Sequence, residues 1–249
     1  MGTTDGISRS SDYFLKIYIA DIRPGSCPEP GAEISGSGAE SAMARKLALR
    51  ALRDYLECAS DSFSVESGSV EEARTGKGKP YFPDCPGFQY NISHSGGIVV
   101  CGTIVGEAAD GSMESVPIGI DIQKIPDDPK RVMKIADHFF SEQERDSLHT
   151  LMESGTEREV SSALLLFNRY WTARESYMKL TGRGLSESFR NFRPDLEGKR
   201  IMITAPDRRC EDGTDRSAFS EIYLTECPAP EGFCLTVCSY KVPGTIKFL

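Results

Sequence analysis

A chain of 249 residues, 39% hydrophobic and 27% charged, has the make-up of a globular protein with room for one large domain or two smaller ones. Its formal net charge of -8 argues against a whole-molecule grip on nucleic acid and leaves only a local basic site for phosphate groups. No apolar run approaches the roughly 20 residues that cross a bilayer, and the polar stretch 1–12 lacks the apolar core of a secretion signal, so a cytoplasmic protein without membrane association is expected.

Eight cysteines are present, but no Cys-x-x-Cys spacing marks a zinc site, and all eight read as free thiols. Cys234 and Cys238 fall in one expected strand about 13 Å apart, too far to bridge each other.

The first element expected is a strand over 14–20, after a polar start. A loop rich in glycine and proline follows over 27–38. From 40 to 57 the apolar residues Ala44, Leu47, Ala48, Ala51, Leu52, Tyr55 and Leu56 recur at three and four, the spacing of an amphipathic helix. Arg45, Lys46, Arg50 and Arg53 fall on its outer side, either as a solvated face or as phosphate ligands. Gly76-Lys77-Gly78-Lys79-Pro80 is a flexible basic turn that lacks P-loop spacing.

The run Asn91-Ile92-Ser93-His94-Ser95-Gly96-Gly97 precedes a strand over 98–105 and places His94 in a loop between strands. Its Ser-His-Ser order is not a hydrolase signal, because sequence neighbours need not face each other and no Gly-x-Ser-x-Gly elbow is present. Residues 107–117 read as the connection between two halves, 1–112 and 113–249.

In Pro117-Ile118-Gly119-Ile120-Asp121-Ile122-Gln123-Lys124 the isoleucines alternate and share one face of a strand. Gly119, Asp121 and Gln123 share the other. On this stretch alone Asp121 reads as a turn acid or as a metal ligand, and both readings stay open. Val132, Ile135, Ala136 and Phe139 make a short helix face, and Ser141-x-x-Glu144 fits a capping box that gives Glu144 a structural reason to exist.

Thr156-x-x-Glu159 opens a second box, and an apolar stripe from Val160 to Met178 continues a helix to Thr181-Gly182. Trp171, Glu175 and Lys179 lie four apart on one side of it, so Glu175 and Lys179 can form a surface ion pair. Strands are expected over 201–204, 219–225 and 233–239, with a polar hairpin loop over 207–216.

Taken in order, Gly78-Lys79-Pro80, Asn91-Ile92-Ser93-His94-Ser95, Ile118-Gly119-Ile120-Asp121-Ile122, Phe139-Phe140-Ser141-x-x-Glu144, Trp171-x-x-Arg174-Glu175-Ser176-x-x-Lys179 and Gly182-x-Gly184-Leu185 resemble the surfactin-type 4'-phosphopantetheinyl transferases. Each motif is weak by itself; six in order are specific. The resemblance implies an α+β fold, a pseudo-dimer of two similar α/β halves with the active site in the cleft between them. It also implies transfer of 4'-phosphopantetheine from coenzyme A to a serine of an acyl, peptidyl or aryl carrier protein, by a monomer.

By the same resemblance Asp121, Gln123 and Glu175 hold Mg2+; Lys79, Pro80, Ser93 and His94 bind the nucleotide end of coenzyme A. Lys179 contacts phosphate near the reacting serine, and Glu144 accepts the serine proton directly or through water. Two positions depart from the family pattern. Gln123 stands where an acid is common, so an amide oxygen or a water it holds takes that coordination position at weaker charge. Arg174 stands where lysine is usual, keeping the charge but changing its geometry. The other reading is a non-catalytic binder of coenzyme A or of a carrier protein with the same fold.

Overall fold

The computed structural model describes residues 13–26, 38–58, 70–108, 111–182, 191–203 and 221–249. The polar start, most of the glycine- and proline-rich loop, the hairpin loop over 207–216, and Arg183, Gly184, Leu185, Thr204 and Phe219 lie outside these residues.

In chain order the first elements are β1 (Phe14–Asp21) and α1 (Ala39–Cys58). Leu15 and Ile17 of β1 are fully buried, and α1 buries Ala44, Leu47, Ala48, Ala51, Leu52 and Leu56, the stripe that its periodicity requires. β2 (Ala73–Arg74) and β3 (Pro80–Tyr81) pair as a short hairpin around the Gly76-to-Gly78 turn.

The expected loop around His94 is instead a strand, β4 (Asn91–Ser95), paired antiparallel with β5 (Ile98–Glu107). Gly96 and Gly97 make the two-residue turn between them, with φ of 55° and 80°; tight hairpin turns of this kind need positive φ at both positions. The pattern hid this strand because its inward residues, Asn91 and Ser93, are polar.

The connection over 107–117 is shorter than expected, since β6 (Met113–Val116) folds back onto β5. β7 (Ile118–Lys124) follows and leaves this sheet for another.

Three helices come next: α2 (Pro129–Phe139), α3 (Glu142–Glu153) and α4 (Glu157–Thr181). α2 begins a turn earlier than its apolar face suggests, because Asp128 accepts from the backbone N–H groups of Lys130 and Arg131 and Pro129 opens the first turn. The capping box of Ser141 and Glu144 is formed, and Thr156 caps α4. α4 stops at Gly182, whose φ of 66° only glycine adopts freely.

The chain ends with β8 (Phe192–Asp195), β9 (Arg200–Ile203), β10 (Tyr223–Cys227), β11 (Phe233–Ser239) and β12 (Thr245–Phe248). β8, which was not among the expected strands, carries Pro194, tolerated because β8 is the outer edge of its sheet.

These strands form two five-stranded sheets, the first in the order β12-β1-β5-β4 with β6 also on β5, and the second in the order β7-β11-β10-β9-β8. Two strands from beyond residue 112, β6 and β12, thus belong to the first sheet; β12 joins it by parallel pairing with β1. A single apolar cluster links the sheets, with Leu15, Ile17, Val100 and Ile104 from one and Ile118, Ile120, Ile122 and Val237 from the other.

β7 lies against α4 at Gly119, where a β-carbon would sit 1.9 Å from the carbonyl oxygen of Ser176. Only glycine permits that approach. The six cysteines among the described residues are thiols rather than disulfides, and no described helix is long and apolar enough to cross a membrane.

Candidate active site

A cleft of about 550 Å³ collects nearly all the residues that the sequence singled out. Lys79 and Pro80 reach it from the β2–β3 hairpin, Ser93 and His94 from β4, Asp121 and Gln123 from β7, and Glu175 and Lys179 from α4.

Asp121 is at its centre and only 1% exposed. One carboxylate oxygen accepts from Ser93 Oγ at 2.8 Å and from Lys179 Nζ at 2.7 Å; the other accepts from Gln123 Nε2 at 3.2 Å. Lys179 Nζ also donates to Ser93 Oγ at 2.8 Å and to the Ile120 carbonyl at 3.1 Å, which uses all three of its protons. The surface ion pair with Glu175 is therefore not what Lys179 forms. It crosses to β7 because Asp121 is the more deeply buried charge and needs a counter-ion there.

Glu175 has no hydrogen-bond donor among the described residues. Its carboxyl is held above the usual carboxylate range, first by burial and then by the charge of Asp121, with Lys179 opposing both. A half-buried carboxylate beside another carboxylate favours a cation or a proton.

These residues fit a magnesium ion of the kind that binds through one or two carboxylates and keeps positions for phosphate oxygens and water. Among the described residues no third acidic, histidine or cysteine ligand joins Asp121 and Glu175. Gln123 is oriented with its amide N–H toward Asp121 and its carbonyl oxygen toward Ser95 Oγ at 3.4 Å. In this orientation it supports Asp121; turning the amide over would present its oxygen to the cleft.

The opposite end of the cleft is basic. Lys79 is partly buried, and burial holds its pKa below the usual lysine value. Its backbone is fixed by the hairpin: Thr75 N–H donates to Lys79 O at 2.9 Å, and Lys79 N–H donates to Thr75 Oγ1 at 3.1 Å. Arg74, which donates to the Gly78 carbonyl at 3.0 Å, and Lys77 add two more cations. Of the four bases on α1, Arg45 lines the cleft, while Arg50 lies over the Tyr18 ring at 5.6 Å. His94 lies 2.9 Å from Glu40 in the first turn of α1.

Sequence reasoning missed Arg74 and Asn91. Arg74 could have been found as the third base of the hairpin; Asn91 stood within a quoted motif, but nothing in the sequence marked it as a polar residue at a buried strand position.

Glu144 is not brought to the cleft. Its carboxylate is buried, accepting from the N–H and hydroxyl of Ser141 and paired with the Arg174 guanidinium. Arg174 is itself 0% exposed, lies between the rings of Phe140 and Phe192 at 5.1 and 5.3 Å, and donates to the Phe192 carbonyl at 3.1 Å. Glu144, expected as proton acceptor, is here part of a buried contact that ties α3 to α4 and β8. Arg174 faces that interior.

Comparison with known proteins adds family information. A family model described as the 4'-phosphopantetheinyl transferase superfamily matches residues 117–238. A 4'-phosphopantetheinyl transferase of Bacillus subtilis is 30% identical over 179 residues, covering 71% of this chain and 70% of that protein. The 4'-phosphopantetheinyl transferase psf-1 of Bacillus pumilus is 34% identical over 134 residues, covering 53% of this chain and 48% of its own length. The 4'-phosphopantetheinyl transferase Sfp of Bacillus subtilis strain 168 is 28% identical over 182 residues, 72% and 67% of the two chains. The match thus spans between about half and seven tenths of these relatives. Among solved structures, a holo-ACP-synthase of Plasmodium yoelii superposes at a TM-score of 0.30 with 16% identity, on 49% of this chain and 91% of that one, which is too loose to define the fold.

Proposed function

The chain belongs to the surfactin-type 4'-phosphopantetheinyl transferases, and on that premise we propose that its cleft transfers 4'-phosphopantetheine from coenzyme A to a serine of an acyl, peptidyl or aryl carrier protein. The observation that carries this reading is the union in one cleft of a basic end, Lys79, Arg74 and Arg45, with an acidic end, Asp121 and Glu175. A ligand that is a phosphorylated nucleotide at one end and a pyrophosphate beyond it has the matching charge pattern.

In the reaction the serine oxygen forms a bond to the phosphorus bearing pantetheine. The bond from that phosphorus to the bridging pyrophosphate oxygen breaks, and adenosine 3',5'-bisphosphate leaves with the electron pair. Lys79 and the neighbouring arginines bind the nucleotide phosphates. Asp121 and Glu175 would hold Mg2+, with the Gln123 amide oxygen or a water beside them. When bound, the ion neutralises pyrophosphate charge.

With Glu144 withdrawn, three described carboxylates remain in the cleft. Asp121 is occupied by three donors and Glu72 accepts from the Tyr90 hydroxyl at 2.7 Å. Glu175, whose carboxyl lies above the usual carboxylate range without a cation, is reserved for the metal in this reading, and the serine proton passes to a water in the cleft. The two sheets with the cleft between them are read as the pseudo-dimer of this family, acting as a monomer.

Incubation with coenzyme A, Mg2+ and apo forms of several carrier proteins, read by mass spectrometry, tests the proposal. The expected result is a carrier heavier by one phosphopantetheine and release of adenosine 3',5'-bisphosphate. Coenzyme A binding without mass gain on any carrier would replace this reading with that of a non-catalytic binder.

A further inference from the structure

β4 and β7 are the facing edges of the two sheets, the last strand of one order and the first of the other. An edge strand leaves alternate backbone N–H groups without partners, and buried ones must find them. No strand pairing joins β4 to β7. Three side chains take its place. Asn91 Oδ1 accepts from the Ile120 N–H at 3.2 Å, Ser93 Oγ from the Ile122 N–H at 3.3 Å, and Ser95 Oγ from the Lys124 N–H at 3.1 Å. Both series advance by two residues, as strand geometry demands, so every rung comes from one face of β4 and meets one edge of β7.

We propose that this side-chain ladder sets the register of the two sheets across the cleft, and that Asn91 and Ser95 are positioning residues for the site. Two rungs also hold the cleft groups. Ser93 Oγ donates to Asp121, and Ser95 Oγ donates to the Gln123 side-chain Oε1. Asn91 carries no cleft charge; its work is the Ile120 rung, one residue before Asp121. On the far side of β7, Asn168 Nδ2 of α4 donates to the Gln123 carbonyl at 3.0 Å, so the strand is held from both sides. A shift of one residue along β7 would send Asp121 to the opposite face. The ladder therefore fixes the acidic end, carried by β7, relative to the basic end, carried with β4 and the β2–β3 hairpin.

The structural half of this inference stands by itself; the functional half rests on the transfer reaction proposed above. Asn91→Ala and Ser95→Ala variants are examined by residue-resolved amide hydrogen exchange. The Ile120 amide in the first and the Lys124 amide in the second are expected to exchange about tenfold faster, with the amides of β11 unchanged. Unchanged exchange at both positions overturns the ladder, whatever the protein's activity.

In the same variants, affinity for adenosine 3',5'-bisphosphate is expected within about twofold of the parent while kcat for transfer falls about tenfold, because the basic end is intact and only its alignment is lost. Faster exchange with kcat unchanged overturns the positioning role. A parallel fall of nucleotide affinity, kcat and melting temperature overturns it as well, since that pattern marks general loss of fold. A parent protein with no transfer activity would remove the reaction but leave the exchange result to stand or fall alone.

Discussion

The ammonium of Lys179, in the last turn of α4, lies 2.7 Å from a carboxylate oxygen of Asp121 in the middle of β7. Side-chain exposures of 28% for the lysine and 1% for the aspartate mean that the acid depends on this partner more than the base does. Removing one member of such a pair strands the other charge. Lys179→Met is accordingly expected to cost about 3 kcal/mol of stability at neutral pH. Added Mg2+ should recover part of the loss by supplying another cation. Urea unfolding with and without the metal checks both; a deficit that Mg2+ leaves untouched would argue against metal binding at Asp121.

Gly119 sets how close β7 comes to α4. A β-carbon there would meet the Ser176 carbonyl oxygen at 1.9 Å and the Leu180 nitrogen at 2.5 Å, both backbone atoms that cannot swing aside. Gly119→Ala should lose roughly 3 kcal/mol and weaken Mg2+ binding, because Asp121 and Glu175 sit on the two elements that are forced apart. Thermal unfolding and calorimetric Mg2+ titration read the two effects. A variant of parental stability would mean that the strand and helix separate without strain.

Gln123 donates to Asp121, so exchanging it for an acid removes a hydrogen bond and adds a like charge. Gln123→Glu is expected to be less stable than the parent in the absence of metal, by about 1–2 kcal/mol, and to bind Mg2+ more tightly. Transfer at limiting Mg2+ should be kept or raised. A large loss of turnover would show that the site uses the amide as a donor.

Glu144 pairs with the fully buried Arg174, which predicts a stability effect rather than a chemical one. Glu144→Gln should lower unfolding free energy by about 3 kcal/mol while the pH profile of transfer keeps its shape. Disappearance of the limb that reports the catalytic base would give Glu144 the role of proton acceptor.

Burial lowers the pKa of Lys79, so the folded protein holds this proton less tightly than the unfolded chain. Between the lowered value and the usual lysine value of 10.5 the unfolded state binds more protons, and stability rises with pH through that window. Lys79→Met should therefore melt higher than the parent at neutral pH, with the advantage fading as pH passes through the lowered pKa toward 10.5. The same change should weaken adenosine 3',5'-bisphosphate binding. A lower melting temperature at neutral pH would mean that the lysine is already compensated in the free protein.

The chain by itself determined the elements whose burial follows a simple period: α1 and α4 by spacings of three and four, β1, β7 and β11 by apolar strands, and the caps at Ser141 and Thr156 by side chains that act within one turn. It also carried the site as separate short motifs whose order resembles that of one family. Tertiary structure decided what depends on partners distant in sequence. β4 was illegible because Asn91 and Ser93 turn inward to an edge strand about 29 residues away, β8 because an edge position tolerates Pro194, and β12 because its pairing with β1 spans most of the chain. The same limit separates the site residues: Lys79, Ser93, Asp121, Glu175 and Lys179 line one cleft, but Lys179 turns to Asp121 and Glu144 turns to Arg174. A buried charge selects the opposite charge that folding brings within reach, and no local spacing specifies which one that is.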